Sequence, residues 1–450
     1  MKINYSKELE VKYDVDVFVA GGGPAGIAAA VTCARQGYSV FIAEPFPAFG
    51  GAAVTMLVPA FMPFGDSTVF LAEGIGREVY NKIGEKALPR FQKYCPVSIP
   101  VETIKMIYDD MVTESGAKFL FHTSVIDAVV EDGTVKYAIC SAKGSTFAVK
   151  AKIFIDCTGD GDLSDLAGAE SEYGDENGLT MAATLCGLWS GINWHGTEGG
   201  PANMHMEQAI KDGVFTNADM HLPGIWRIME ETTDENGVHL PDGVGGSNAG
   251  HVYGVDARYA ESLTPAIMKG RKQILEYRRY YQEYMKGYEK AEPIYTAPFL
   301  GIRESRRIVC DYRLNVEDFH RQACFEDEIG RYNYPIDVHS STNDTAGYNK
   351  FISAYSTLRY KPGESYGIPY RSLAVKGLTN LLTAGRCIGT DRQMQASVRV
   401  IPGCYITGQA AGMAAAVLCG NHTSNVHEVD THELQKKLTE VGAYLPNFKK

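Results

Sequence analysis

No C-x-x-C pair occurs in this sequence; its 10 cysteines are scattered over 450 residues. The absence of clustered thiolates disfavours iron–sulfur ligation, a structural zinc knuckle and a closely spaced redox dithiol. Reduced, mostly buried cysteines are expected instead, and no metal ligand set is expected. No apolar run approaches a membrane span. The polar start MKINYSKELEVKYD lacks the apolar core of a signal peptide. Positive charge is in deficit, with 43 Lys and Arg against 54 Asp and Glu, a net charge of -11. That balance disfavours nucleic acid and anionic membrane surfaces as partners, though not a local basic pocket. A cytoplasmic protein is expected. The chain is too long for one simple core, so two or three domains are expected.

What is present is concentrated in Asp14–Glu44, DVDVFVAGGGPAGIAAAVTCARQGYSVFIAE. Val15–Ala20 reads as a short buried parallel strand. Gly21, Gly23 and Gly26 follow in G-x-G-x-x-G spacing, Ile27–Arg35 reads as a helix and Ser39–Ala43 as a second strand. In such a unit the first glycine allows the tight turn, the second lets a pyrophosphate approach the backbone, and the third lets helix and strand pack closely. The helix N-terminus offers free N–H groups and a partial positive charge to phosphates, and Pro24 suits a first helical turn. Glu44 stands about 20 residues beyond the glycines, where an acid takes a ribose hydroxyl. Gly50 and Gly51 read as a second close approach of backbone to such a cofactor. No second fingerprint of this kind is visible.

Further along, Phe70–Lys86 and Val101–Ser115 read as helices and Lys118–Val130 as a strand. Glu131-Asp132-Gly133 signals a hairpin, and Val135–Cys140 and Thr146–Val149 continue a small antiparallel meander. Ile153–Cys157 reads as another buried strand, running into Thr158-Gly159-Asp160-Gly161-Asp162. Leu378–Ala384 is a buried strand ended by Gly385. Gly403–Cys419, with Gly408, Ala410, Ala411 and Gly412, reads as a helix able to pack very close to another backbone.

Four blocks carry a family resemblance: VFVAGGGPAGIAAA with AEPFPAFGGAA, FIDCTGDGDLSDLAGAE, GIRESRRIVCDYRL, and LLTAGRCIGTDRQMQASVRVIPGCYITGQAAGMAAA. The chain resembles the FAD-dependent oxidoreductases of the two-dinucleotide-binding flavoprotein type, related to the fumarate reductase/succinate dehydrogenase flavoprotein superfamily. The resemblance implies an α/β fold, a Rossmann-like FAD-binding domain with a β-meander and an inserted α+β substrate or cap domain. The division expected is 1–169 and 368–430 for the FAD domain, 170–367 for the cap and 431–450 for a C-terminal helix. By the same resemblance Gly21, Gly23, Pro24, Ala25 and Gly26 would hold the FAD pyrophosphate and Glu44 the adenosine ribose. Gly50, Gly51 and Ala52 would lie against the cofactor's centre, and Val125 would pair with the adenine. Thr158, Gly159 and Asp160 would cross near the adenine side. Gly385, Arg386 and Asp391 would approach the ribityl chain, and Arg399, Val400 and Ile401 the pyrimidine edge.

The middle of the chain holds all three tryptophans. Within it, Gly243–Gly254 reads as a loop that lets backbone approach a ligand, with His251 and Tyr253 as candidate contacts. Ala266–Glu289 reads as a long helix whose tyrosines serve core or subunit interface. Arg303, Arg306 and Arg307 with Glu304 form either an anion clamp or a salt-bridge hub that includes Asp311. The activity implied is hydride transfer between a small organic substrate and flavin N5. Arg303, Arg306 or Arg399 would hold an anionic or carbonyl group, and His251 is the candidate proton carrier. Ene-reduction of the fumarate reductase kind and an electron-transfer subunit remain as alternatives. An external electron donor or acceptor and self-assembly stay open.

Overall fold

In a computed structural model the described residues are 2–84, 94, 98–198, 203–216 and 223–449. The fold is α/β. The strand β1 (Val11–Ala20), the helix α1 (Pro24–Arg35) and β2 (Val40–Ala43) form the expected unit, with β1 and β2 parallel in register Val17–Val40 to Ala20–Ala43. The Phe70–Lys86 helix is observed as Ile75–Gly84, its expected end lying outside the described residues; Val101–Ser115 is helical as expected.

The expected strand Lys118–Val130 is two strands. β3 (Lys118–Leu120) extends the parallel sheet beside β2, and β4 (Thr123–Glu131) belongs to the meander. His122, at φ 51°, turns the chain between them, a conformation that ends a strand. β4 and β5 (Thr134–Ala142) are joined through Asp132 and Gly133, both at positive φ, 47° and 72°. Two such residues are what a two-residue hairpin with right-handed strand twist requires.

The next two expected strands are one, β6 (Ser145–Asp156). β1 lies along one side of it, parallel. On the other side its first half pairs antiparallel with β5 and its last residues pair parallel with Leu381–Thr383. A single strand therefore carries both the meander and the returning chain. Between Asp156 and Leu381 the chain builds a separate four-stranded sheet in the order Glu292–Thr296, Gly187–Ile192, Gly243–Ala249, Pro223–Met229.

The first part of the glycine-rich stretch expected as a loop, Gly243–Ala249, is thus an interior strand, while 250–254 lies beyond it. Its missing side chains are required by neighbours: a Cβ on Gly245 would lie 2.3 Å from Ile225, and one on Gly246 2.6 Å from Pro59. The long helix runs Ala260–Tyr284 and packs on this sheet, with Tyr281 edge-on to Trp189 at 5.4 Å. Of the two uses foreseen for its tyrosines, Tyr277, Tyr280 and Tyr281 serve the core.

Ile401–Gly420 is long and apolar enough to cross a membrane by length and composition, contrary to the expectation that no run would qualify, but it is buried along its length in the core. It lies against α1. A Cβ on Gly408 would stand 2.2 Å from the Ala25 carbonyl oxygen, and one on Gly412 2.1 Å from that of Ala29. Both obstacles are backbone, which cannot swing aside. We expect Gly412→Val to cost about 3 kcal/mol or more through overpacking, read as a fall in the denaturation midpoint. Gly420→Ala meets only the flexible end of Tyr38 and should be close to neutral.

Candidate active site

The glycine turn divides into positions set by packing and one that faces open space. Gly21 sits at φ 90°, and a Cβ there would lie 2.7 Å from the Cys157 carbonyl oxygen. A Cβ on Gly26 would lie 1.8 Å from the Gly21 carbonyl oxygen. A Cβ on Gly23 would meet only the Cα of Gly51, at 3.9 Å. The first intrahelical bond runs from Ile27 N–H to the Gly23 carbonyl, 2.9 Å. The N–H groups of Ala25 and Gly26, past Pro24, precede it and suit an anion. The Gly50–Gly51 turn is clamped to this loop by Gly50 N–H donating to Gly22, 2.9 Å.

Glu44 follows β2 directly, with its side chain buried. Its Oε2 accepts from Gly22 N–H at 2.6 Å and its Oε1 from Phe46 N–H at 2.9 Å. Burial pushes the carboxyl up to about 7, against two hydrogen bonds that favour the charged form. Thr123 N–H donates to the Glu44 carbonyl, 3.0 Å. Val125 follows two residues later, opposite Cys140 in the meander.

After β6 the chain turns around the Asp156 carboxylate, which accepts from Thr158 N–H and Oγ1 at 3.0 and 2.8 Å and from Ser164 at 2.7 Å. The turn places Gly159 under the Arg386 guanidinium and Asp160 against it, Oδ1 to Nη2 2.6 Å. Arg386 Nη1 donates to the Ile302 carbonyl, 3.0 Å, and its Nε is buried without a partner. Gly385 lies against the start of α1, a Cβ there being 3.1 Å from Ala25 Cβ. Asp391, expected near the ribityl chain, has both carboxylate oxygens engaged by backbone. It caps the helix Arg392–Val398, Oδ1 accepting from Met394 N–H at 2.7 Å, while Oδ2 accepts from Val316 N–H at 2.8 Å.

A cavity of about 420 Å³ lies between these elements and the second sheet; Ala52, Arg386, Arg399, Val400 and Ile401 line it from one side, Trp226, Asn248 and Arg303 from the other. Val400 is the N-cap of Ile401–Gly420, so the positive end of that helix faces the cavity. Arg303 is buried, with Nη1 donating to the Ala182 carbonyl and Thr184 Oγ1 at 2.8 and 2.9 Å and Nη2 to Asn248 Oδ1 at 2.9 Å. Asp337 and His339 complete the wall. Asp337 lies 3.6 Å from Arg399 Nη2 and 3.4 Å from His339 Nε2. Burial works against its charge, yet His339, Arg399 and Arg303 hold its carboxyl well below the usual range. Burial, then the positive charge of Arg303, pushes the His339 imidazole down to about 3. His251 stands behind it, Nε2 3.2 Å from His339 Nδ1, and Nδ1 3.2 Å from the Tyr253 hydroxyl.

Arg306 lies outside the cavity lining. It donates to the Asp160 carbonyl and Asp162 Oδ1 at 3.1 Å and to Asp165 at 2.7 Å, in a strand paired with Ser171–Tyr173. Glu304 is the hub of the cluster, holding Arg307 at 2.6 Å and Arg392 at 3.0 Å. Asp311, expected in that hub, pairs with His427 at 2.6 Å. Nothing in the sequence marks Asp337 and His339: PIDVHSS contains no motif, and only burial near the Arg303 charge distinguishes them.

The matching family model, FAD dependent oxidoreductase, covers residues 16–438. The chain belongs to this family. It is an oxidoreductase that uses FAD, and the residues fit that cofactor: open space in front of Gly23, and buried, unpartnered Nε groups on Arg386 and Arg399. Among curated proteins, the digeranylgeranylglycerophospholipid reductase of Methanospirillum hungatei is 29% identical over 160 residues, 33% of this chain and 39% of that protein. The protein of the same name from Methanosphaerula palustris is 26% identical over 173 residues, again 33% and 39%. The chain therefore matches about two fifths of the length of these relatives. Among solved structures, a geranylgeranyl bacteriochlorophyll reductase-like protein from Thermoplasma acidophilum aligns over 97% of this chain and 94% of its own at 12% identity, TM-score 0.46. A flavin-dependent brominase aligns over 95% and 83% at 14% identity, TM-score 0.43.

Two outcomes follow for this flavoenzyme. Gly23→Ala should leave the fold intact and weaken FAD retention at least tenfold, whereas Gly26→Ala should lower thermal stability outright; cofactor content and unfolding of the apoprotein separate them. His339 is neutral when folded and takes a proton below 6.5 when unfolded. The unfolded chain then binds more protons, so stability present above pH 6.5 is lost as pH falls toward 3. Denaturation midpoints across that range should fall less steeply in His339→Asn.

Proposed function

We propose that this enzyme moves a hydride between flavin N5 and a small organic substrate in the cavity, with Arg303 holding an anionic or carbonyl group of the substrate. FAD, when bound, supplies the two-electron chemistry. The reading is carried by one observation: a buried guanidinium and a neutral imidazole line the same cavity as the N-terminus of Ile401–Gly420. Arg303 binds and orients. His339 holds or moves the proton at its ring nitrogens, with His251 and Tyr253 behind it as a route onward. Segment 170–367 acts as the cap that excludes water from the reacting atoms. The enzyme works in the cytoplasm.

The cavity of about 420 Å³ would be shared with the flavin ring along Arg399–Ile401, so the space left suits only a small ligand. The reductase names of the partly matching curated relatives favour the reducing direction. Convergent polar groups in the cavity speak against a bare electron-transfer subunit, which needs no such pocket.

Anaerobic titration of the holoenzyme with candidate small carboxylates, enones and alcohols, followed at the flavin absorbance, tests the reading. One class should bleach or reoxidise the flavin, and Arg303→Ala should lower kcat/KM about 100-fold, roughly 2.7 kcal/mol of transition-state binding, with the flavin spectrum unchanged. Flavin turnover by a protein partner alone, with no small molecule active, would overturn it.

A further inference from the structure

A second cluster lies in the cap, away from the cavity. Three segments meet there: the one-turn helix Trp194–Gly196, the residues after the strand Pro223–Met229, and the hairpin in which His239 bridges Thr233. They bring together His195, Glu231 and His239.

The Glu231 side chain is 0% exposed, and only one of its oxygens is used. Oε1 accepts from His195 N–H at 2.9 Å and stands 2.5 Å from His195 Nδ1 and 3.5 Å from His239 Nδ1. Oε2 and His239 Nδ1 are buried without a hydrogen-bond partner. The two imidazoles are stacked, centroids 3.8 Å apart and planes 15° from parallel. One ligand atom from each residue lies within 4.8 Å of the others. A buried carboxylate oxygen and a buried imidazole nitrogen, each unpartnered, are costly to leave unsatisfied. One cation between them satisfies both.

We propose that His195, Glu231 and His239 bind one divalent transition-metal ion of the zinc class. Two imidazole nitrogens with one carboxylate suit zinc and its neighbours; calcium and magnesium take oxygen ligands. Tetrahedral bonds of about 2.1 Å separate ligands by roughly 3.4 Å, so the ion replaces the His195–Glu231 hydrogen bond and the pair opens by about 1 Å. His195 and His239, with side chains 53% and 38% exposed, have room to move and admit water as a fourth ligand. The ion would clamp the hairpin to the end of the strand Gly187–Ile192. It would also fix the far end of Pro223–Met229, the strand that carries Trp226 to the cavity.

The test uses holoenzyme stripped with EDTA and titrated with Zn²⁺ by calorimetry and by thermal denaturation. One ion per chain and a raised Tm are expected, with the flavin spectrum unchanged. His239→Ala and Glu231→Gln should each weaken binding at least 100-fold while keeping FAD content and circular dichroism. No saturable binding to the wild type overturns the proposal, as does binding that survives both substitutions. If Glu231→Gln does not fold, His239→Ala, at a half-exposed side chain, decides alone. Neither outcome bears on the flavin site, whose own test reads flavin reduction.

Discussion

Everything around the flavin site depends on how closely two helices approach. Gly408 fits over Ala25 and Gly412 over Ala29. The two offsets are equal and of the same sign, so the helices run in the same direction. Their positive ends therefore face the same side of the molecule, one behind the glycine turn and one at the cavity wall. A methyl group at either glycine would force the helices apart and move both ends at once. The small residues of Ile401–Gly420 thus set the distance between the glycine turn and the cavity wall.

The strand β6 is the second constraint. By pairing with β1 on one side and with both the meander and Leu381–Thr383 on the other, it holds the returning chain in place. Arg386 reaches Asp160 because β6 and Leu381–Thr383 end side by side. Segments more than 200 residues apart become one wall through ladder hydrogen bonds.

The cavity's electrostatics follow from burial. Arg303 and Arg399 lie near a single carboxylate, Asp337, which stays charged, while His339 gives up its proton. The site keeps an excess of positive charge in a region of low dielectric, where it acts strongly on an anionic group. The cluster read from GIRESRR is divided by the fold. Arg303 faces the cavity, Arg307 and Glu304 tie neighbouring segments, and Arg306 is spent on Asp162 and Asp165.

Local geometry was legible from the chain alone. Gly21, Gly26, the Asp132–Gly133 hairpin and the acid at Glu44 each answer a requirement that a few neighbouring residues impose, so spacing reveals them. The meander strand β6 was read in two pieces because its alternation changes where its partners change. The sequence predicts a loop over Gly243–Gly254, though its first part is a strand, because propensity counts the missing side chains but not the Ile225 and Pro59 that fill their places. Asp337, His339 and the division of the arginines were beyond reach for a related reason. Their roles come from which distant groups stand beside them in a dry interior. Sequence alone determined the tight glycine turns, where the backbone conformation is set by close neighbours; only the tertiary structure decided which side chains face the cavity, because burial and long-range pairing set their charge and their partners.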